Sequence, residues 1–217
     1  MILDGKATAA SIRAALREEI ERDREKAGRA PCLAVILVGE DPASQVYVRN
    51  KEKACADAGI DTISCRRPAS ISQQELEELI AGLNADPAID GILLQLPLPA
   101  GLDARPCIDA ISPEKDADGL TAVNQGRVAM NVPGLRPCTP AGILALLDHY
   151  HISVSGKKAV VIGRSNLVGR PIALMLGSRD YNATVTMCHS RTPDLAAVCR
   201  EADIIIAALG KARFVTA

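Results

Sequence analysis

Hydrophobic and polar positions follow two rhythms along this chain, one of period near four and one of continuous apolar runs. Ile12, Leu16 and Ile20 recur every fourth residue, which predicts a helix from about Lys6 to Lys26, with the charges of "REEIERDREK" on its solvated face. "CLAVILVG" is an uninterrupted apolar run ending in glycine, as expected of a strand buried on both faces of a parallel sheet. A helical stretch, "PASQVYVRNKEKACADAG", follows with proline near its start and Gly59 at its end. "IDTISC" predicts a second strand and "SQQELEELIAGLNAD" a second such helix, capped by Ser72 with Glu75 three residues on. "DGILLQLPLP" predicts a third strand, stopped by two prolines.

The rhythm breaks over residues 97–138, where Pro97, Pro99, Pro106, Pro113, Pro133 and Pro137 predict a loop-rich junction. It then restarts. Thr139 is placed to cap a helix whose first residue is Pro140. Strand "KAVVIG", helix "LVGRPIALMLGS", strand "ATVTMCH", helix "TPDLAAVCREA" and strand "DIIIAALG" complete the chain. Strands alternating with helices argue for an α/β fold with parallel strands in two domains, residues 1–139 and 140–217.

Composition narrows the function classes. Hydrophobic residues make up 48 % of the 217, so a sizeable core is available, and with no Trp and one Phe it must be aliphatic. Basic and acidic residues nearly cancel, 25 against 26, and there are few aromatic platforms, so no nucleic-acid partner is expected. No apolar run is long enough to span a membrane, and the N-terminus lacks a signal pattern. Seven cysteines, an odd number without a C-x-x-C pair, point to a reducing cytoplasm. His149, His151 and His189 lack ligand spacing, so no metal is expected.

"VVIGRSNLVGRP", residues 160–171, lies between a predicted strand and a predicted helix, the context of a dinucleotide loop. The usual fingerprint would place glycines at 163, 165 and 168; here stand Gly163, Ser165 and Val168, with Gly169 following. Gly163 suits the tight turn and Gly169 a close helix–sheet approach, while Ser165 adds a hydroxyl near the phosphates at a helix N-terminus. An NAD site wants a carboxylate at the end of the next strand, yet "CHSRT" offers Ser190 and Arg191, and Arg164 adds a second cation. These attract a 2′-phosphate, so the loop reads as a variant NADP site; a plain strand–turn–helix unit is the alternative.

Four further residues stand out. Tyr47 and Lys51, four apart on one predicted helix, share a face, and a hydroxyl beside an amine can pass a proton. On spacing alone, a surface lysine packed against a half-buried tyrosine is the plainer reading. Gln95 sits in an apolar run at the carboxyl end of its strand, where open α/β sheets bind ligands. A satisfied structural amide is its other reading. Asp118 precedes Gly119 in "SPEKDADGL", which is also a turn signal.

"YVRNK", "GILLQLPLP", "PEKDADGL", "RPCTPAG" and "VVIGRSNLVGRP…CHSRT" stand in this order nearly from end to end, and the chain resembles the bifunctional methylenetetrahydrofolate dehydrogenase/methenyltetrahydrofolate cyclohydrolase family of FolD type. The resemblance implies an N-terminal α/β domain with parallel strands and a C-terminal Rossmann-like NADP-binding domain. It implies oxidation of 5,10-methylene-tetrahydrofolate with NADP⁺ and hydrolysis of the methenyl product to 10-formyl-tetrahydrofolate, in one-carbon metabolism. Lys51 would activate or position water, Tyr47 would stack on the folate, and Gln95 would hold Lys51 in its working protonation state. Asp118 would accept hydrogen bonds from the pterin's amino and ring N–H. Gly163, Arg164, Ser165, Ser190 and Arg191 match the NADP contacts, with Thr139 counted among them. The family is commonly dimeric, which implies a homodimer. Its members continue past "KARFVTA" with a glycine-rich segment and a last helix, so the chain as given reads as truncated.

Rival readings are an NADP-binding module without turnover, an interaction scaffold, or another NADP-dependent dehydrogenase. Y-x-x-x-K also marks short-chain dehydrogenases, but there the glycine loop precedes the Tyr-Lys pair, and here the order is reversed.

Overall fold

A computed structural model describes residues 2–216. The chain forms two compact units, Met1–Ala117 and Asp118–Ala217.

In the first unit, α1 (Gly5–Ala27) leads into β1 (Cys32–Val38), α2 (Pro42–Ala58), β2 (Asp61–Arg67), α3 (Gln73–Ala85), β3 (Gly91–Leu94) and α4 (Ala104–Ala110). The strands are parallel in the order β2-β1-β3. The continuous apolar run of β1 is matched by its burial from Val35 to Val38, and Val35, Leu37 and Leu93 pack against Val48 of α2. The Ser72–Glu75 capping box forms as its spacing predicts, with Ser72 N–H donating to the Glu75 carboxylate at 2.8 Å. That bond holds the Glu75 carboxyl below its ordinary range. The expected apolar stripe of α1 is only partly covered: Ile12 and Leu16 stay exposed, because α2 is the helix's main packing neighbour. Arg29 grips Asp90 with two hydrogen bonds, and Asp90 accepts the Cys32 N–H at 2.8 Å, so the start of β1 is tied to the approach to β3.

The second unit contains α5 (Ala122–Met130), α6 (Cys138–His149), β4 (Lys158–Ile162), α7 (Gly169–Leu176), β5 (Thr184–Cys188), α8 (Leu195–Arg200) and β6 (Ile204–Ala207), with parallel order β5-β4-β6. Its core is aliphatic: Leu144, Val161, Ile172 and Leu176 meet between the sheet and helices α6 and α7.

Two expectations are corrected. Residues 97–138 are not all loop, since α4 and α5 both lie there. Second, Thr139 does not cap α6. The cap position is Pro137, whose carbonyl accepts the Ala141 N–H at 2.9 Å, so Thr139 and Pro140 sit inside the first turn. Pro140 is tolerated there because the first-turn N–H groups have no helical partner to lose. The second compact unit begins at Asp118, and within it α5 packs on α7.

The Tyr181 hydroxyl donates to Asp148 at 2.7 Å. Burial, this bond and the carboxylate's charge push the Tyr181 phenol up to about 12. The folded state favours the protonated phenol, so its contribution is complete below the ordinary value of 10 and is lost as pH rises towards 12. Allowing for partial solvent screening, Tyr181→Phe costs about 1 kcal/mol at neutral pH. Denaturant titrations from neutral pH to pH 12 should show that difference shrinking above pH 10; a constant difference would contradict the assignment.

Candidate functional site

In the first unit the sheet order reverses beside β1, with β2 on one side and β3 on the other, and such a reversal opens a crevice at the strands' carboxyl ends. Lys51 and Gln95 meet at that edge. Ser44 and Val48 anchor α2 by their burial, and Lys51, one turn beyond Val48, is half-buried. Gln95 directly follows β3 and is locked to β1 by its N–H, which donates to the Ile36 carbonyl at 2.9 Å. Its side chain is 8 % exposed. Gln95 Nε2 donates to the Leu96 carbonyl at 2.6 Å, which turns Oε1 towards Lys51, and Lys51 Nζ donates to it at 3.2 Å. The amide thus orients the amine, and the same bond satisfies the buried Oε1.

Tyr47 is brought to the same helix but not into a bond with Lys51: its hydroxyl has no hydrogen-bond partner among the described residues, and its ring is 61 % exposed. A large ring left in water one turn before an oriented lysine is surface available for stacking on a flat ligand.

In the second unit the reversal lies between β5 and β6 on either side of β4, and the glycine turn occupies it. Gly163 has φ +119°, and a Cβ on it would stand 2.3 Å from the Ala208 carbonyl oxygen at the end of β6. Its N–H donates to the Cys188 carbonyl at the end of β5. A Cβ on Gly169 would stand 2.3 Å from the Gly163 carbonyl oxygen, so the start of α7 is pressed onto the turn. No side chain fits at either position, which makes the turn a bare backbone cradle. Ser165 Oγ accepts the N–H groups of Val168 at 3.2 Å and Gly169 at 3.4 Å, so the hydroxyl organises the helix start where a glycine would have left it open.

Ser190 and Arg191 follow β5 at the same sheet edge. The Arg191 N–H donates to His189 Nδ1 at 3.2 Å, which shapes that turn. Both Arg164 and Arg191 are exposed, and among the described residues neither guanidinium is in an ion pair. The first carboxylate after β5, Asp194, accepts the Ala197 N–H at 3.0 Å as the cap of α8. A dinucleotide carrying a 2′-phosphate fits this edge: a cradle for the pyrophosphate, free arginines and no uncommitted carboxylate.

Thr139 is exposed in the first turn of α6, and Asp118 is half-buried as the first residue of the second unit. Sequence reasoning missed Lys115 and Asn84, whose hydrogen bonds span up to 32 residues and leave no local pattern. Among the described residues no cluster could hold a metal ion, and no helix is long and apolar enough to cross a membrane.

Residues 3–118 match the family profile "tetrahydrofolate dehydrogenase/cyclohydrolase, catalytic domain", and residues 137–217 match its "NAD(P)-binding domain". The bifunctional protein FolD of Oleidesulfovibrio alaskensis is 62 % identical over 219 residues, covering 100 % of this chain and 77 % of its own length. Among solved structures, the bifunctional FolD enzyme of Campylobacter jejuni, a methylenetetrahydrofolate dehydrogenase/cyclohydrolase, superposes with a TM-score of 0.93 at 45 % identity, over 96 % of this chain and 73 % of its own. The Trypanosoma brucei methylenetetrahydrofolate dehydrogenase-cyclohydrolase, solved with NADP cofactor and inhibitor, gives 0.91 at 38 % identity, over 97 % and 72 %. With both of its parts matched and the fold shared throughout, the chain belongs to the tetrahydrofolate dehydrogenase/cyclohydrolase family.

Proposed function

We infer that this chain oxidises 5,10-methylene-tetrahydrofolate with NADP⁺ and hydrolyses the methenyl product to 10-formyl-tetrahydrofolate. The observation that carries the reading is the Lys51–Gln95 hydrogen bond at one sheet edge, in a chain whose other sheet carries the bare Gly163 cradle. NADP⁺, when bound, supplies the acceptor for the hydride that leaves the one-carbon bridge. The protein's task in that step is alignment. Gly163 and Ser165 hold the pyrophosphate, Arg164, Ser190 and Arg191 hold the 2′-phosphate, and Thr139 belongs to the same site.

In hydrolysis, water adds to the bridge carbon, the bond from that carbon to N5 breaks, and one proton is released. Lys51 orients the attacking water, and Gln95 fixes the lysine through an amide whose direction Leu96 sets. Tyr47 stacks on the folate. Asp118 accepts the pterin's amino and ring N–H, a pairing that suits a carboxylate. Residues 1–139 are then the folate-binding catalytic part and residues 140–217 the NADP-binding part. A homodimer in the cytoplasm completes the proposal; the seven cysteines, none of them in a disulfide among the described residues, suit a reducing compartment.

Wild-type protein given methylene-tetrahydrofolate should form NADPH and 10-formyl-tetrahydrofolate. Its affinity for NADP should exceed that for NAD by at least about 10-fold, and Arg191→Gln should close most of that gap, since a charge-assisted hydrogen bond contributes roughly 1.5–3 kcal/mol. Cofactor binding without NADPH formation would replace the reading with a non-catalytic NADP module. Equal affinity for the two cofactors would remove the arginines from the 2′-phosphate.

A further inference from the structure

Lys115 is an unusual lysine. Its ammonium donates to three main-chain carbonyls around the end of α3: Leu83 at 3.2 Å, Asn84 at 2.8 Å and Asp86 at 2.7 Å. The last carbonyls of a helix have no partner within it, and a cation there also meets the negative end of the helix dipole. The Asn84 side chain reinforces the tie, donating to the Ala110 carbonyl at 2.7 Å and accepting the Ser112 N–H at 2.9 Å.

The lysine's own backbone has a second attachment. Its carbonyl accepts the Ile92 N–H at 2.6 Å, and the Ala117 N–H donates back to the Ile92 carbonyl at 3.3 Å. Residues 115–117 therefore lie along β3 as a one-residue parallel bridge, Ile92 to Asp116. A Cβ on Gly91 would stand 3.5 Å from Ala117 Cβ, so the segment lies in ordinary contact range of the start of β3. Three residues past Ile92 stands Gln95, the partner of Lys51, and the residue after Ala117 is Asp118. One short stretch of β3 thus sets the backbone of both.

We propose that Lys115 is a positioning residue for folate binding: by tying itself to the end of α3 it fixes residues 115–117 against β3, and so fixes the main chain from which the Asp118 carboxylate is presented. This rests on Asp118 being the pterin-binding carboxylate. A lysine that only stabilised the fold would lower the yield or melting point of active protein and leave its KM alone.

The experiment compares Lys115→Met, Lys115→Arg and wild type by kcat, KM for methylene-tetrahydrofolate, NADP affinity, and hydrogen exchange at the Ile92 and Ala117 amides. Lys115→Met should raise KM at least about 10-fold with kcat within about 3-fold and NADP affinity unchanged. The two amides should exchange at least about 10-fold faster. Lys115→Arg should restore KM and protection, because a guanidinium also presents several N–H donors. If Lys115→Met fails to fold, Lys115→Gln is measured the same way, since its amide can still reach one or two of the carbonyls. Unchanged KM in a folded variant overturns the proposal, as does unchanged exchange at both amides, whatever the activity. Absence of turnover in the wild type, with exchange accelerated as expected in the variant, would instead sink the folate assignment on which the proposal stands.

Discussion

Lys51→Met is expected to lower hydrolysis of methenyl-tetrahydrofolate by at least about 1000-fold, a loss at the scale of removing a positioned proton-handling group. NADP affinity should be unchanged, because Lys51 belongs to the first unit and the cradle to the second. Methionine keeps the length and most of the volume of lysine, so Val48 and the buried face of α2 stay packed. What disappears is the donor to Gln95 Oε1. That oxygen, in a residue only 8 % exposed, loses its donor, so a stability cost of about 1–3 kcal/mol accompanies the loss of activity. The measurement is single-substrate hydrolysis beside a cofactor titration. Hydrolysis at the wild-type rate would remove Lys51 from the chemistry.

Gly163→Ala should weaken NADP binding by about 100-fold or more. Two costs act together. A side chain at φ +119° is strained by roughly 1–3 kcal/mol. Independently, the new Cβ would lie 2.3 Å from the Ala208 carbonyl oxygen, an obstacle made of backbone at the end of β6. The turn must move off the sheet edge, and α7 must move with it, since Gly169 is packed on the Gly163 carbonyl. Cofactor titration together with a melting curve reads both consequences. Wild-type NADP affinity in this variant would mean that the turn holds no pyrophosphate.

Much of this architecture is legible in the residues before any coordinates. The apolar run of β1, the Ser72–Glu75 box and the glycine after β4 each carry a local signal that folding obeys. The prolines of 97–138 mislead for a physical reason. Pro97, Pro99, Pro113, Pro133 and Pro137 all flank α4 and α5, and Pro106 sits in the first turn of α4, where its missing N–H costs nothing. Counting prolines thus hides two helices that their caps, Asp103 and Thr121, announce. At the site, the loop glycines and arginines are visible from spacing alone. The Lys51–Gln95 bond joins residues 44 apart and the Lys115 ties span 29 to 32, so both depend on how β3 settles beside β1. No periodicity encodes that. Family resemblance pointed to the first pair, and only the fold exposes Lys115.

The two activities should therefore be separable by single residues in separate units. The most direct test measures hydrolysis of methenyl-tetrahydrofolate in Lys51→Met and Gly163→Ala side by side. Hydrolysis should vanish in the first and persist in the second, because adding water to the bridge carbon needs no hydride acceptor. Persistence in Lys51→Met with loss in Gly163→Ala would contradict the account at its centre.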